Sequence, residues 1–215
     1  MDIVVENMPY FLRSFGFTVI YSFFTLIVAS IFGAIVAIIY TLVEKSTVQR
    51  MISILINIIR GLPLLVVLFA VYYILPFFGV DLPRAVAALA GLTVFFAASI
   101  AEVFRGAIQS VPAIQVDVAK ALSMKKWQRL RHVVFPQAIR LILGPMIGEF
   151  VRIVKGSTLL SLLTIPELML AAREVTTASF KGIQIYGTVG IMYFLFIYAC
   201  SQIGQKIEGR YAFER

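Results

Sequence analysis

Residues 14–43 read SFGFTVIYSFFTLIVASIFGAIVAIIYTLV, thirty positions without one charged side chain. A bilayer core about 30 Å thick is crossed by roughly 20 apolar helical residues, so the run predicts a transmembrane helix. Its apolar heart places the first span at about residues 14–40. Working outward, Met51–Ile59 and Leu64–Phe78 are apolar around the interruption Arg60-Gly61-Leu62-Pro63. They are read as one long second span, about 51–78, disturbed at Gly61 and Pro63. Further spans are expected at about 85–104, 141–165 and 182–205, the fourth of them holding Glu149, Arg152 and Lys155. No internal repeat or low-complexity linker divides the chain. The expectation is one all-α integral membrane domain over residues 1–215, with five transmembrane helices.

Composition excludes the competing classes. Of 215 residues, 60% are hydrophobic and only 14% charged, with a mean hydropathy of +0.95. Soluble domains carry about a quarter charged residues, and disordered chains carry few apolar ones. A lone cysteine, Cys200, excludes a disulfide scaffold. The net charge of +8 is distributed rather than clustered for nucleic acid. With the N-terminus outside, the inner segments hold twelve bases and the outer ones Arg13, Arg84, Arg173 and Lys181. That asymmetry follows the positive-inside rule and puts the C-terminus in the cytoplasm. Glu6 precedes any base, so no cleavable signal peptide is expected. One histidine and one cysteine, without paired ligand spacing, predict neither a metal site nor nucleophilic chemistry. His132 is expected to be a solvated loop residue.

The longest polar stretch is the loop at about 106–140, which with Arg105 reads RGAIQSVPAIQVDVAKALSMKKWQRLRHVVFPQAIR. Pro112 can open a short helix on which Val116, Ala119 and Leu122 share one apolar face. Trp127, Leu130, Val133 and Val134 form a second stripe beside Lys125, Lys126, Arg129 and Arg131. This basic amphipathic stretch suits the inner membrane surface, with Trp127 as an interfacial anchor. The alternative is that the short first helix protrudes and docks into another protein.

The loop resembles the EAA loop of bacterial ABC-importer permeases, whose pattern is Glu-Ala-Ala, three residues, Gly, nine residues, Ile-x-Leu-Pro. Asp117, Val118 and Ala119 fill the first triplet, and Val133, Phe135 and Pro136 fill the end. Val118 departs from the pattern, and Ser123 stands where it has the glycine of a tight turn, against which a side chain works. Other stretches resemble polar-amino-acid permeases of the histidine/arginine/glutamine type. They are RGLPLLV at 60–66, AEVFRGAIQSVP at 101–112, KGSTLLS at 155–161 and PEL at 166–168.

The resemblance implies a type I ABC importer permease in the bacterial cytoplasmic membrane. It implies a second permease subunit, identical or closely related, an ABC ATPase subunit that carries ATP and Mg, and an extracellular binding protein delivering an amino acid. The sequence has no GxxxxGK[ST] phosphate loop, so no nucleotide or other cofactor is expected on this chain. The short helix and its turn, with Asp117, Val118, Ala119, Ser123 and Pro136, would couple to the ATPase.

Polar groups at membrane depth are costly and mark a pathway. Glu149 either forms an internal salt bridge with Arg152 or faces the dimer cavity and holds a substrate ammonium or guanidinium. Asn57 either binds substrate or joins helices. Ser157 and Thr158 follow Gly156, where the helix can loosen; they either make a ligand site or bond back to their own helix. Ser99 can line the same cavity. Glu102 and Arg105 are read as a salt bridge or gate, with Gly61 and Pro63 as a structural break. Phe95 and Phe96 are read as packing, and Glu167 and Glu174 as exposed groups, solvated or meeting the binding protein. Because Glu149 is the deepest acid, a basic amino acid is expected. An ion-driven secondary carrier with Glu149 as its ion site, and a non-transporting membrane scaffold, are the competing classes.

Overall fold

The computed structural model describes residues 2–212, and Arg215, the C-terminal residue, lies outside them. The order is α1 Asp2–Leu42, α2 Ser46–Gly61, α3 Leu64–Phe69, α4 Arg84–Gln109, α5 Ala113–Ala121, α6 Lys126–Arg129, α7 Phe135–Ser157, α8 Leu168–Ser179 and α9 Gly182–Ala212. No strand occurs among the described residues. Four helical stretches are individually long and apolar enough to span a membrane, and the bent pair α2–α3 supplies a fifth if taken as one span.

The helices are apolar outside and small or hydroxylated inside, the reverse of a soluble bundle. Along α1, Phe11, Ser14, Thr18, Ser22, Thr25, Ala29, Gly33 and Ala37 recur every three or four residues and are all buried. The large residues Ile20, Phe23, Ile27, Ile31 and Ile35 point outward. Lipid already solvates large apolar groups, so helices associate through close backbone approach, which small residues allow. Gly33 shows the limit: a Cβ there would lie 2.9 Å from the backbone nitrogen of Ala101 on α4.

α4 is the centre of the bundle. Leu92, Phe96 and Ile100 are buried with Ala29 of α1, Leu68 of α3 and Ile153 of α7. A second cluster joins Phe11 of α1 to Leu168 and Ala172 of α8 and Ile185 of α9. That packing explains why α1 is helical from Asp2, well before the expected start of the first span.

Three further differences from the sequence reading have local causes. The second span is two helices, with Ser46–Gly61 bent by 104° from Leu64–Phe78. Pro63 lacks an N–H, and Leu62 before it is extended at φ −82, ψ 146, so neither the hydrogen-bond ladder nor the direction can continue. The expected loop at 106–140 is mostly helical: α4 continues to Gln109, and Lys126–Leu163 is one helical stretch. π-Turns occur at Ala70–Ile74 and Leu130–Val134, ahead of Pro76 and Pro136 respectively. Each proline removes the donor for the carbonyl four residues earlier, and a π-turn redistributes the freed group.

Candidate functional site

The structure brings Ser99, Glu149 and Arg152 together where α4 crosses α7. Arg152 Nη1 donates to Glu149 Oε1 at 2.6 Å and to Ser99 Oγ at 2.9 Å, and Ser99 Oγ donates to Glu149 Oε1 at 3.3 Å. The ring closes with consistent donors and acceptors: the serine hydroxyl accepts from the cation and gives to the anion. Glu149 and Ser99 are buried at 6% and 4% exposure, whereas the Arg152 side chain is 52% exposed. The guanidinium carbon of Arg152 lies 5.9 Å from the centre of the buried Phe96 ring, within cation–π range. Glu149 Oε2 is buried and has no hydrogen-bond partner among the described residues. The Glu149–Arg152 salt bridge is therefore present, with one carboxylate oxygen left over.

The other expected binding residues are not part of this ring. Asn57 is exposed on α2 and has no hydrogen bond to the cluster. Ser157 is fully buried and donates to Val154 O at 2.8 Å, and Thr158 donates to Lys155 O at 2.7 Å. Of the two readings offered for these hydroxyls, the back-bonded one is present. The chain does loosen there, from α-helix to a 3-10 turn at Thr158–Leu163. Gly156 is required by packing: a Cβ would meet Leu64 Cδ2 at 2.8 Å and Phe96 Cζ at 3.2 Å.

One and two turns further along α4, Glu102 receives a two-pronged bond from Arg105. The Nε–Oε1 and Nη2–Oε2 distances are 2.9 and 2.5 Å, and Arg60 Nη1 stands 3.7 Å from Oε2. Arg60 is at the end of α2, beside the Gly61–Pro63 break, so this ion cluster fastens the bend to α4.

The candidate coupling segment folds as a short helix with two faces. Ala119 is 2% exposed and Val116 is half-buried against the cluster formed by Ala107, Leu130 and Val134. The opposite face presents Ile114, Val118 and Leu122, exposed at 69%, 54% and 72%. The single apolar face expected through Val116, Ala119 and Leu122 is thus divided: the first two hold α5 to its own subunit, and Leu122 points away. Spacing of four residues from Ile114 to Val118 to Leu122 was the signal for the outward stripe. A groove of about 290 Å³ lies between these residues, Met124 and Val133. Asp117 and Lys120 form an exposed pair at 2.8 Å. Ser123 takes the left-handed conformation at φ 58, so the tight turn is kept without glycine. Pro136 is exposed near the start of α7. Leu130 and Val134 are buried against the end of α4 and Lys126 donates to the carbonyls of Leu42 and Val43, so this stretch is anchored on the protein, while Lys125, Arg131 and Trp127, the last 50% exposed, face outward.

A third cluster departs from the sequence expectation. Glu167, expected to be exposed, is fully buried. Its carboxylate caps α8, accepting from Met169 N at 2.9 Å and Leu170 N at 2.6 Å, and it accepts from Tyr193 Oη of α9 at 2.9 Å. Thr18 of α1 accepts from Leu168 N at 3.0 Å beside it. Burial pushes the carboxyl up to about 7, although every one of these hydrogen bonds pulls it down. Glu174 remains exposed and accepts from Tyr10 at 2.5 Å.

The bundle has known counterparts in sequence and in fold. The chain belongs to the family of binding-protein-dependent transport system inner membrane components, whose model matches residues 29–210. Its sequence relatives include permeases of amino-acid ABC importers. It is 28% identical over 210 residues to the probable amino-acid ABC transporter permease YckA of Bacillus subtilis, covering 98% of this chain and 92% of that one. It is 31% identical over 188 residues to the L-cystine transport system permease TcyB of the same organism, covering 86% and 80%. A crystal structure of an amino acid ABC transporter with histidines superposes with a TM-score of 0.88 at 27% identity, covering 96% of both chains. The fold is that of a type I ABC importer permease.

Proposed function

We propose that this chain forms the transmembrane pathway of an ATP-driven importer for a polar amino acid, working by alternating access. The observation that carries the reading is the two-faced helix α5, fixed to its own subunit by Ala119 and presenting Ile114, Val118 and Leu122 outward. An apolar stripe with no cover in its own subunit suits a groove in a separate ATPase subunit, which binds ATP and Mg and hydrolyses the nucleotide. Asp117 sets charge register in that groove, and the turn at Ser123 and Pro136 fixes the angle of the lever. A binding protein on the far side delivers the amino acid, and a second permease, identical or related, closes the cavity. The N-terminus is outside and the C-terminus cytoplasmic, in keeping with the distribution of bases.

Within the pathway, Ser99, Glu149 and Arg152 are the substrate-facing group, and Asn57, Ser157 and Thr158 are secondary candidates supported by position alone. Glu102 and Arg105, with the Gly61–Pro63 bend, form the gate-like ion cluster. The basic amino acid (arginine, lysine or histidine) expected from the depth of Glu149 is opposed by the ion pair that Glu149 makes with Arg152, and the substrate class within the polar amino acids turns on how this group is charged. The test is reconstitution of this permease with its ATPase and binding protein in proteoliposomes. ATP-dependent uptake of an amino acid supports the proposal. Uptake that follows an ion gradient without ATP would identify a secondary carrier, and a stable complex that moves no amino acid would leave a scaffold.

A further inference from the structure

We infer that the Ser99–Glu149–Arg152 cluster selects a neutral, zwitterionic amino acid, with the guanidinium of Arg152 holding the substrate α-carboxylate. The inference rests on the permease reading above and narrows its substrate class. Three observations carry it. First, the charge of Glu149 is already matched: Oε1 takes Arg152 Nη1 at 2.6 Å and Ser99 Oγ at 3.3 Å. A carboxylate so neutralised has little long-range pull left for a cationic side chain. Second, Arg152 spends only Nη1 on its neighbours, giving one bond to Glu149 and one to Ser99. Among the described residues Nε and Nη2 have no partner, and they form the planar edge that pairs with a carboxylate through two parallel hydrogen bonds. Third, the accessible part of the pair is the cation. Arg152 is 52% exposed and Glu149 is 6% exposed, so an approaching ligand meets the guanidinium first.

The remaining atom completes the match. Glu149 Oε2 is buried and unpartnered among the described residues, and an ammonium donor brought to it on closure of the cavity would satisfy it. An α-amino acid carries a carboxylate and an ammonium on one carbon, so both ends find a free group of opposite sign on adjacent side chains. A second positive charge on the ligand finds no free acid there. Lys155, one turn beyond Arg152 on the same helix, is exposed and without an ion-pair partner among the described residues, and it disfavours a cation further.

The experiment uses the complete permease–ATPase complex in lipid nanodiscs and measures direct binding of radiolabelled L-glutamine and L-arginine, with unlabelled L-glutamine α-amide as a competitor. Wild type is expected to bind glutamine at least about tenfold more tightly than arginine. The α-amide, which lacks the carboxylate, should bind roughly ten- to a hundredfold more weakly than glutamine, the range of a lost charge-assisted bond. Arg152→Gln frees Glu149 and should invert the preference toward arginine. Arg152→Lys keeps the charge without the planar edge and should fall between the two. Tighter wild-type binding of arginine than glutamine, or equal binding of glutamine and its α-amide, overturns the inference without any variant having to fold. Unchanged glutamine affinity in Arg152→Gln overturns it as well. Failure of the permease reading shows differently, as a chain that does not assemble with the ATPase or change its hydrolysis.

Discussion

Protonation of Glu167 should control how firmly α8 is held. The carboxylate is fully buried, is bonded to two backbone N–H groups and the Tyr193 hydroxyl, and contacts no cation among the described residues. Its ordinary value of 4.5 rises to about 7 because burial outweighs the hydrogen bonds. Below about pH 4.5 the folded and unfolded chains both carry the neutral acid, and the group adds no pH dependence. Between about 4.5 and 7 the unfolded chain ionises and the folded one does not, so the unfolded state binds fewer protons and stability falls as pH rises. The gap, at about 1.4 kcal/mol per pH unit, is roughly 3 kcal/mol by pH 7.5. For a chain of this size that is about 6–12 °C in melting midpoint. The assay is thermal unfolding of the detergent-purified permease from pH 4 to 8, wild type beside Glu167→Gln. The wild-type midpoint should drop across pH 4.5–7.5, and the Gln variant, which resembles the neutral acid throughout, should lack that drop. Parallel pH profiles for the two proteins would refute the reasoning.

Five more outcomes are expected. Leu122→Ala removes an outward anchor worth roughly 1.5–3 kcal/mol when buried, so co-purification with the ATPase should weaken about tenfold or more with normal membrane yield. Ala119→Glu, by contrast, forces a charge into the packed side of α5 and should lower permease yield before any coupling defect is measurable. Ser123→Gly relieves a left-handed β-carbon and should stabilise the permease by about 1 kcal/mol, read as a higher melting midpoint. Glu149→Gln alone should lower membrane yield by stranding Arg152, and the Glu149→Gln, Arg152→Gln double variant should recover yield but not transport. A reporter fused after Arg215 should be cytoplasmic, and external activity there would reverse the proposed topology.

The membrane character was legible because lipid leaves no alternative: a run such as residues 14–43 cannot exclude charge for thirty positions by accident. What the run could not show was which face is buried, since that depends on α4. The outcome, serines and threonines inside and isoleucines outside, follows from the solvent. Likewise Gly61 and Pro63 marked a break, but a missing N–H gives the place of a bend and not its 104° angle. Arg152 was visible as a partner of Glu149 because three residues on a helix share a face. Ser99 was named only as a possible neighbour, fifty residues away in sequence, and its bridging bond requires the α4–α7 crossing. Glu167 failed for the same reason. A Pro-Glu pair between two spans reads as a solvated connection until Thr18 and Tyr193 arrive from the two ends of the chain.

The proposed pathway group and the proposed coupling helix are joined by one structural element. On α4, Ser99, Glu102, Arg105 and Gln109 follow one another at three- and four-residue spacing, so they form a polar line along one side of the helix. Ser99 bonds Glu149 at one end, Arg105 bonds Glu102 in the middle, and Arg105 Nη1 reaches Gln109 Oε1 at 3.0 Å. Three residues later Pro112 opens α5, whose Ala119 is seated on the same subunit. A displacement of α5 by a partner therefore acts on a helix about 15 Å long between Gln109 and Ser99 with no break in it. Bonded side chains along that line switch between discrete partners and do not stretch, so motion at α5 would arrive at Glu149 as an exchange of hydrogen bonds. Arg152 is the group free to make that exchange, because it alone of the cluster is half exposed and has donors in reserve.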